Sequence, residues 1–280
     1  MEVILAKTAG FCFGVKRAVS QVYDKVKEGA KIYTYGPIIH NDEVVKDLAN
    51  QGVEIINDAD DLTKVKDGTV VIRSHGVAKE IYDLMDECGI DYIDMTCPFV
   101  KRIHDIVYRE SEQRKIVIIG SKIHPEVIGI MGWSRGRAVA VENEADVAAF
   151  EANESEKICI VSQTTFNLAK FQELVEMFTK KGYDINTVNT ICDATRKRQT
   201  EAFEIASKVD AMIVIGDKKS SNSKKLYDIC SAQCTNTYFI QTLDELDFVS
   251  DGVTSVGITA GASTPNYIIE EVQNYVRINF

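Results

Sequence analysis

The chain has no apolar run long enough to span a bilayer, which argues against a helical membrane protein. It also lacks an excess of positive charge. Lys and Arg number 32 against 42 Asp and Glu, a net charge of -10 at pH 7. That balance argues against a general nucleic-acid or membrane-surface binder, while leaving room for local basic loops that hold an anion. No helix-turn-helix pattern and no Walker-type phosphate loop is present. The N-terminus, Met1 to Lys7, is too short and too early acidic for a signal peptide and reads as a strand that starts at once. The expected location is therefore the cytoplasm, where seven cysteines are expected as thiols or metal ligands rather than as a disulfide framework. Hydrophobic residues at 45% and charged residues at 26% are ordinary for a soluble globular protein. At 280 residues the chain lies where single cores give way to several domains.

What is present is a cysteine that returns once per third of the chain. Gly10-Phe11-Cys12-Phe13-Gly14-Val15, Thr96-Cys97-Pro98-Phe99-Val100 and Ile191-Cys192-Asp193-Ala194-Thr195 share one grammar. In each, an apolar strand-like run ends near a cysteine and a helix-like run with basic residues follows. The offsets from cysteine to a loop glycine are 24 (12 to 36), 23 (97 to 120) and 24 (192 to 216). Four residues past each glycine stand His40, His124 and Ser220. Three concerted matches indicate an internal repeat.

Each repeat reads as alternating strands and helices with short loops, which implies parallel sheets covered by helices on both faces. The strands are expected near residues 32–35, 53–56, 69–72 and 92–95, near 116–119, 138–141, 158–161 and 187–188, and near 212–215, 238–240 and 255–258. The third repeat lacks its closing strand, and the orphan strand at residues 3–6 is expected to supply it. The expected domains are 13–96, 97–191, and 192–280 plus 1–12, three small α/β units around a pseudo-threefold axis. Ligands of such sheets bind beyond the carboxyl ends of the strands, where the polar loops fall.

Three cysteines near helix N-termini sit where the helix dipole favours thiolate. Three soft ligands suit an iron–sulfur cluster, or zinc with one open position. Cys88, Cys159, Cys230 and Cys234 do not repeat and are expected to be small buried residues, with Cys230 and Cys234 on one helical face. His40, His75 and His124 fall in loops after expected strands, and Ser220, Ser221, Asn222, Ser223 and Ser263 fill the equivalent loops of the third repeat. Singly, each such residue reads as a cap or a turn. Together they form a set of neutral or switchable donors suited to a phosphate or diphosphate. Glu126 stands among these donors as a possible proton relay or a dipole-complementing first-turn acid. Gln163, Thr164 and Thr165 offer hydroxyl and amide partners on the next loop. His104 lies inside a helix pattern and is expected to be structural. The basic run Arg196-Lys197-Arg198 reads as a solvated helix face, or as a dock for an acidic electron donor.

Phe11-Cys12-Phe13-Gly14-Val15, Gly36-Pro37-Ile38-Ile39-His40-Asn41, Arg73-Ser74-His75-Gly76, Thr96-Cys97-Pro98, His124-Pro125-Glu126, Ser162-Gln163-Thr164-Thr165, Ser220-Ser221-Asn222-Ser223 and Gly261-Ala262-Ser263-Thr264-Pro265 resemble the 4-hydroxy-3-methylbut-2-enyl diphosphate reductases, the IspH/LytB family. The resemblance runs from residue 3 to about 270. It implies a trefoil of three α/β domains around a 4Fe-4S cluster held by Cys12, Cys97 and Cys192. One iron of such a cluster has no protein ligand and is easily lost on oxidation, leaving 3Fe-4S. It also implies a two-electron reductive dehydroxylation of an allylic diphosphate to isopentenyl and dimethylallyl diphosphates, the last step of the non-mevalonate isoprenoid pathway. Electrons would come from a donor such as ferredoxin or flavodoxin. By position, His40, His75, His124, Thr164, Ser220, Ser221, Asn222 and Ser263 would bind substrate, and Glu126 with Thr164 would serve catalysis as the source of protons. Two rival readings stay open: a zinc hydrolase with Glu126 as base, and a non-enzymatic iron–sulfur redox sensor.

Overall fold

The computed structural model describes residues 1–153, 156–249 and 251–279. The chain opens with β1 (Glu2–Leu5) and α1 (Phe13–Lys27). It continues through β2 (Ile32–Tyr35), α2 (Asp42–Asn50), β3 (Glu54–Ile56), α3 (Ala59–Leu62), β4 (Thr69–Ile72), α4 (Lys79–Glu87) and β5 (Tyr92–Asp94). The middle third gives α5 (Pro98–Glu110), β6 (Lys115–Ile119), α6 (Pro125–Met131), β7 (Ala138–Val141), α7 (Glu144–Ala149), β8 (Lys157–Ser162), α8 (Leu168–Lys180) and β9 (Asp184–Thr187). The last third gives α9 (Asp193–Ala206), β10 (Ala211–Ile215), α10 (Ser221–Ser231), β11 (Thr237–Ile240), a 3₁₀ turn at Leu243–Glu245, β12 (Ser255–Ala260) and α11 (Asn266–Asn279).

Two compact units divide this chain. One takes residues 1–16, 39–47 and everything from Asp193 onward; the other takes residues 17–38 and 48–192. The second unit holds two four-stranded sheets, in the orders β3-β2-β4-β5 and β7-β6-β8-β9. The first holds one, in the order β11-β10-β12-β1. Every pairing is parallel. Numbered within its own repeat, each sheet has the order second, first, third, fourth. The expected repeat is thus present as a repeated topology. The N-terminal strand is the fourth strand of the last sheet, with Leu5 opposite Ile258, as the missing closing strand required.

The central strands read as unbroken apolar runs because both of their faces are covered. In β6, Val117 and Ile119 face one core with Ile158, Ile160, Phe171 and Phe178. Ile116 and Ile118 face another with Ile103, Val107, Val127 and Ile130. The last sheet divides in the same way: Ile213, Ile215 and Ile258 pack under α11, and Met212 and Val214 pack against Ala202 and Leu226. Each fully enclosed Ile or Val stabilises by about 1.5–3 kcal/mol relative to exposure, which fixes the register and hence where each strand ends.

Two expectations about the cysteines need correction. Cys159, Cys230 and Cys234 are buried, and burial pushes the Cys159 and Cys230 thiols up to about 12. Cys88 is instead exposed, as the last residue before the Gly89 turn after α4. Cys234 lies beyond the end of α10, so it does not share a helical face with Cys230. None of the seven cysteines is in a disulfide. No helix of the described residues is long and apolar enough to cross a membrane.

Candidate active site

In an open parallel sheet, the crevice for a ligand lies where neighbouring strands send their connections to opposite faces. With the order second, first, third, fourth, that point lies between the first and third strands. The loops that open there follow β2 and β4, β6 and β8, and β10 and β12. His40 and His75 lie on the first pair, His124 and Thr164 on the second, Ser220 and Ser263 on the third. The repeated glycine leads each first-strand loop because a side chain of the same repeat fills the space beside it. An added Cβ on Gly36 would lie 2.9 Å from Arg73 Cζ; on Gly120, 2.7 Å from Gln163 Cβ; on Gly216, 2.7 Å from Ser223 Cβ.

The three repeated cysteines are placed alike. Each follows the fourth strand of its sheet and precedes a helix, α1, α5 or α9. Each backbone amide donates to the carbonyl of the residue two past the end of its third strand. Cys12 donates to Ala262 (3.2 Å), Cys97 to Ser74 (3.0 Å) and Cys192 to Thr164 (3.0 Å). Cys97 caps α5, with Pro98 at the first helical position, where a missing N–H costs nothing. The carbonyls of Cys12 and Cys97 each accept from the amide four residues on, Lys16 and Lys101, both at 2.9 Å.

Within the unit that holds the first two sheets, His124 caps α6. Its Nδ1 accepts from the amide of Glu126 at 3.1 Å, which leaves the ring proton on Nε2. The His75 ring meets it edge-on, with centroids 5.5 Å apart. Glu126 is only 2% exposed, and both its carboxylate oxygens are held by one residue: the Thr164 amide donates at 2.5 Å and the Thr164 hydroxyl at 2.7 Å. Burial pushes the Glu126 carboxyl up to about 7, against the two Thr164 donors that favour its ionised form. Thr164 thus holds the acid with its amide and hydroxyl and the Cys192 amide with its carbonyl. Gln163 braces the loop, accepting from Ser121 N at 3.1 Å and donating to Thr165 Oγ1 at 2.8 Å. His104 is structural, as expected: it stacks on Trp133 at 5.1 Å, and burial pushes its pKa down to about 4.

Within the other unit, Ser220 caps α10 and its Oγ accepts from the Ser223 amide at 3.3 Å. Ser221 is the first residue of that helix and is half-buried. Asn222 is buried, and neither its Oδ1 nor its Nδ2 has a hydrogen-bond partner among the described residues. A buried amide with nothing to bond is unfavourable unless a ligand completes it. Ser263 Oγ donates to the His40 carbonyl at 2.8 Å, which ties two of the expected binding residues together.

Asn41, which the sequence places at the end of the motif that holds His40, is buried, caps α2 by accepting from Val44 N at 3.0 Å, and leaves its Nδ2 without a partner among the described residues. Sequence reasoning gave Asp217 no role. Buried Asp217 accepts from Lys219 N (2.6 Å) and Asp42 N (3.2 Å). The largest correction concerns Arg198. The basic run was expected to be solvated, and Arg196 and Lys197 are exposed, but Arg198 is only 3% exposed. Its guanidinium donates to the carbonyls of Gly10 and Ala260.

Cys12, Cys97 and Cys192 each stand at a helix N-terminus with a matching amide restraint, and a thiol so placed has the chemistry of an iron–sulfur ligand. The donor set is all soft sulfur, as such clusters require.

The family model described as LytB protein matches residues 3–277. A protein of Thermoanaerobacter sp. (strain X514), named 4-hydroxy-3-methylbut-2-enyl diphosphate reductase, is 44% identical over 99% of this chain and 97% of its own. A reductase of the same name from Clostridioides difficile (strain 630) is 41% identical over 99% of both chains. Among solved structures, the E-1-hydroxy-2-methyl-but-2-enyl-4-diphosphate reductase of Plasmodium falciparum superposes with a TM-score of 0.92 at 31% identity. That match covers 98% of this chain and 87% of the other. A structure described as (E)-4-hydroxy-3-methyl-but-2-enyl diphosphate reductase, the terminal enzyme of the non-mevalonate pathway, matches at 41% identity. Its TM-score is 0.71, over 99% of both chains. With that extent of likeness, this chain belongs to the LytB protein family.

Proposed function

We propose that the chain is a cytoplasmic reductase that converts (E)-4-hydroxy-3-methylbut-2-enyl diphosphate to isopentenyl and dimethylallyl diphosphates. The balance is one substrate, two electrons and two protons, giving one product and one water as the allylic C–O bond breaks and a C–H bond forms. The observation that carries this reading is the matching amide hydrogen bond of Cys12, Cys97 and Cys192, each tied to the loop after the third strand of its own sheet. These three would hold a 4Fe-4S cluster. When bound, that group supplies the electrons and a Lewis-acidic iron without a protein ligand.

The chain's own residues do the rest. Glu126, titrating near neutrality, carries a proton in a fraction of molecules at pH 7 and can release it where a departing hydroxide needs it. Thr164 fixes the direction of that carboxyl and shares its hydroxyl proton with Oε2. The Nε2–H of His124, with His75, His40, Ser220, Ser221, Asn222 and Ser263, would bind the diphosphate through neutral donors. The unfilled Asn222 amide supports that assignment. The intervals 13–96, 97–191, and 192–280 plus 1–12 are proposed as the three domains, supported by one sheet topology in each. An acidic ferredoxin or flavodoxin is the proposed electron donor.

The test is anaerobic purification, analysis for iron, sulfide and zinc, and an assay with the diphosphate under a strong reductant. About four irons and four sulfides per chain, with turnover, is the expected result. Zinc without sulfide would overturn the reading and favour a hydrolase; a cluster without turnover would favour a sensor.

A further inference from the structure

Helix α9 grips the loop between β1 and Cys12 at two points. Glu201 takes three donors from it: the amides of Lys7 (2.8 Å) and Thr8 (2.9 Å) and the Thr8 hydroxyl (2.5 Å). Near one turn earlier, the guanidinium of Arg198 donates to the carbonyl of Gly10, two residues before Cys12, at 2.8 Å. It also donates to the carbonyl of Ala260, two residues before the Ala262 carbonyl that receives the Cys12 amide. Both arms of the Cys12 bend are thus fixed by one side chain.

A buried cation is unfavourable unless an anion or a full set of hydrogen bonds compensates it. Arg198 has neither among the described residues. No carboxylate lies within ion-pair distance of it, and its Nε has no partner. Burial pulls its pKa down to about 10, opposed first by Cys12 and then by Glu201, so it remains charged at neutral pH. Its hydrogen bond to Gly10 places this cation two residues from Cys12 along the chain, and Cys12 is the first of the two groups whose charge acts on it.

We propose that Arg198 is a positioning residue for Cys12 and, as a fixed positive charge beside that ligand, makes the bound cluster easier to reduce. This rests on the reductase reading. Reduction adds an electron to an already negative thiolate-bound centre, so a nearby cation stabilises the reduced form more than the oxidised one. The effect is electrostatic and does not require Arg198 to touch substrate.

The experiment is a redox titration of anaerobically reconstituted holoprotein, followed by visible absorption and electron paramagnetic resonance, for wild type, Arg198→Met, Arg198→Lys and Glu201→Gln. Arg198→Met is expected to make reduction about tenfold less favourable, a fall of about 59 mV for one electron. Arg198→Lys keeps the charge and is expected to stay within about threefold of wild type. Glu201→Gln removes a neighbouring negative charge and is expected to move the potential upward. An unchanged potential in Arg198→Met overturns the proposal, as does an equal fall in Arg198→Lys. Should Arg198→Met not fold, a fall in Glu201→Gln overturns it. Wild-type protein that assembles no cluster brings down the reductase reading itself, a result distinct from any of these shifts.

Discussion

Replacing Glu126 by Gln separates the physical account of this acid from a merely packed side chain. The carboxyl is enclosed, and its pKa rises from 4.5 to about 7 because burial disfavours the anion more than the two Thr164 donors favour it. Below about pH 4.5 the group is protonated whether the chain is folded or not, and it costs nothing. Between 4.5 and 7 the unfolded chain loses this proton while the folded one keeps it, so stability falls as pH rises. Above 7 both forms are ionised and the loss levels off. The span of about 2.5 pH units corresponds to about 3 kcal/mol. Gln is neutral throughout, keeps a carbonyl oxygen for the Thr164 amide, and lets the Thr164 hydroxyl turn to accept. Glu126→Gln should therefore match wild type near pH 4.5 and exceed it by about 3 kcal/mol at pH 8. Thermal unfolding from pH 4.5 to 8.5 reads this as a Tm gap opening by roughly 2–4 °C per kcal/mol. The same variant should keep its iron and sulfide and still bind substrate while losing most turnover. Parallel Tm curves would refute the assignment of a buried, near-neutral carboxyl, and near-normal turnover would remove Glu126 from the proton path.

Cys97→Ser should lower iron and sulfide per chain, since a hydroxyl is a poor replacement for a soft thiolate; a fully loaded variant would exclude Cys97 as a ligand. Asn222→Ala removes a buried amide that has no partner of its own, so stability should change by less than about 0.5 kcal/mol while KM for the diphosphate rises about tenfold. An unmoved KM would take Asn222 out of the binding set. Gly120→Ala puts a methyl 2.7 Å from Gln163 Cβ and should cost about 1–3 kcal/mol in denaturant unfolding; no loss would mean that the loop gives way easily.

The sheet architecture was legible because its strands are short apolar runs and its punctuation uses scarce residues at fixed offsets. The closing of the last sheet by residues near the N-terminus followed from a strand that one repeat lacked and another part of the chain had to spare. Less legible were α3 and α7, each anchored by a single buried residue, Leu62 or Val147, and by an Asp58 or Asn143 cap. Such short helices carry too little periodicity to register. The amide that each cysteine donates to its third-strand loop depends on the register of parallel pairing, which no local pattern encodes. Arg198 was misread for a different reason. Three adjacent charges suggest a wet face, yet Thr195, Arg198, Gln199, Ala202 and Ala206 are all buried. Their spacing of three and four residues marks one inward stripe, and weighing that stripe above the charge would have placed Arg198 inside.

The N-terminal strand also imposes an order on biosynthesis. Leu5 pairs with Ile258, and the Cys12 amide finds its acceptor at Ala262. Cys12 leaves the ribosome 250 residues (12 to 262) ahead of the carbonyl that fixes it. At roughly 5–20 residues per second, the strand waits roughly 12–50 s with its pairing edge unmet. The two later cysteines wait far less, because the acceptors of Cys97 and Cys192 precede them in the chain. The backbone settings of Cys97 and Cys192 can therefore form on a nascent polypeptide before that of Cys12, and if these cysteines are the proposed cluster ligands, loading would wait for synthesis past Ala262.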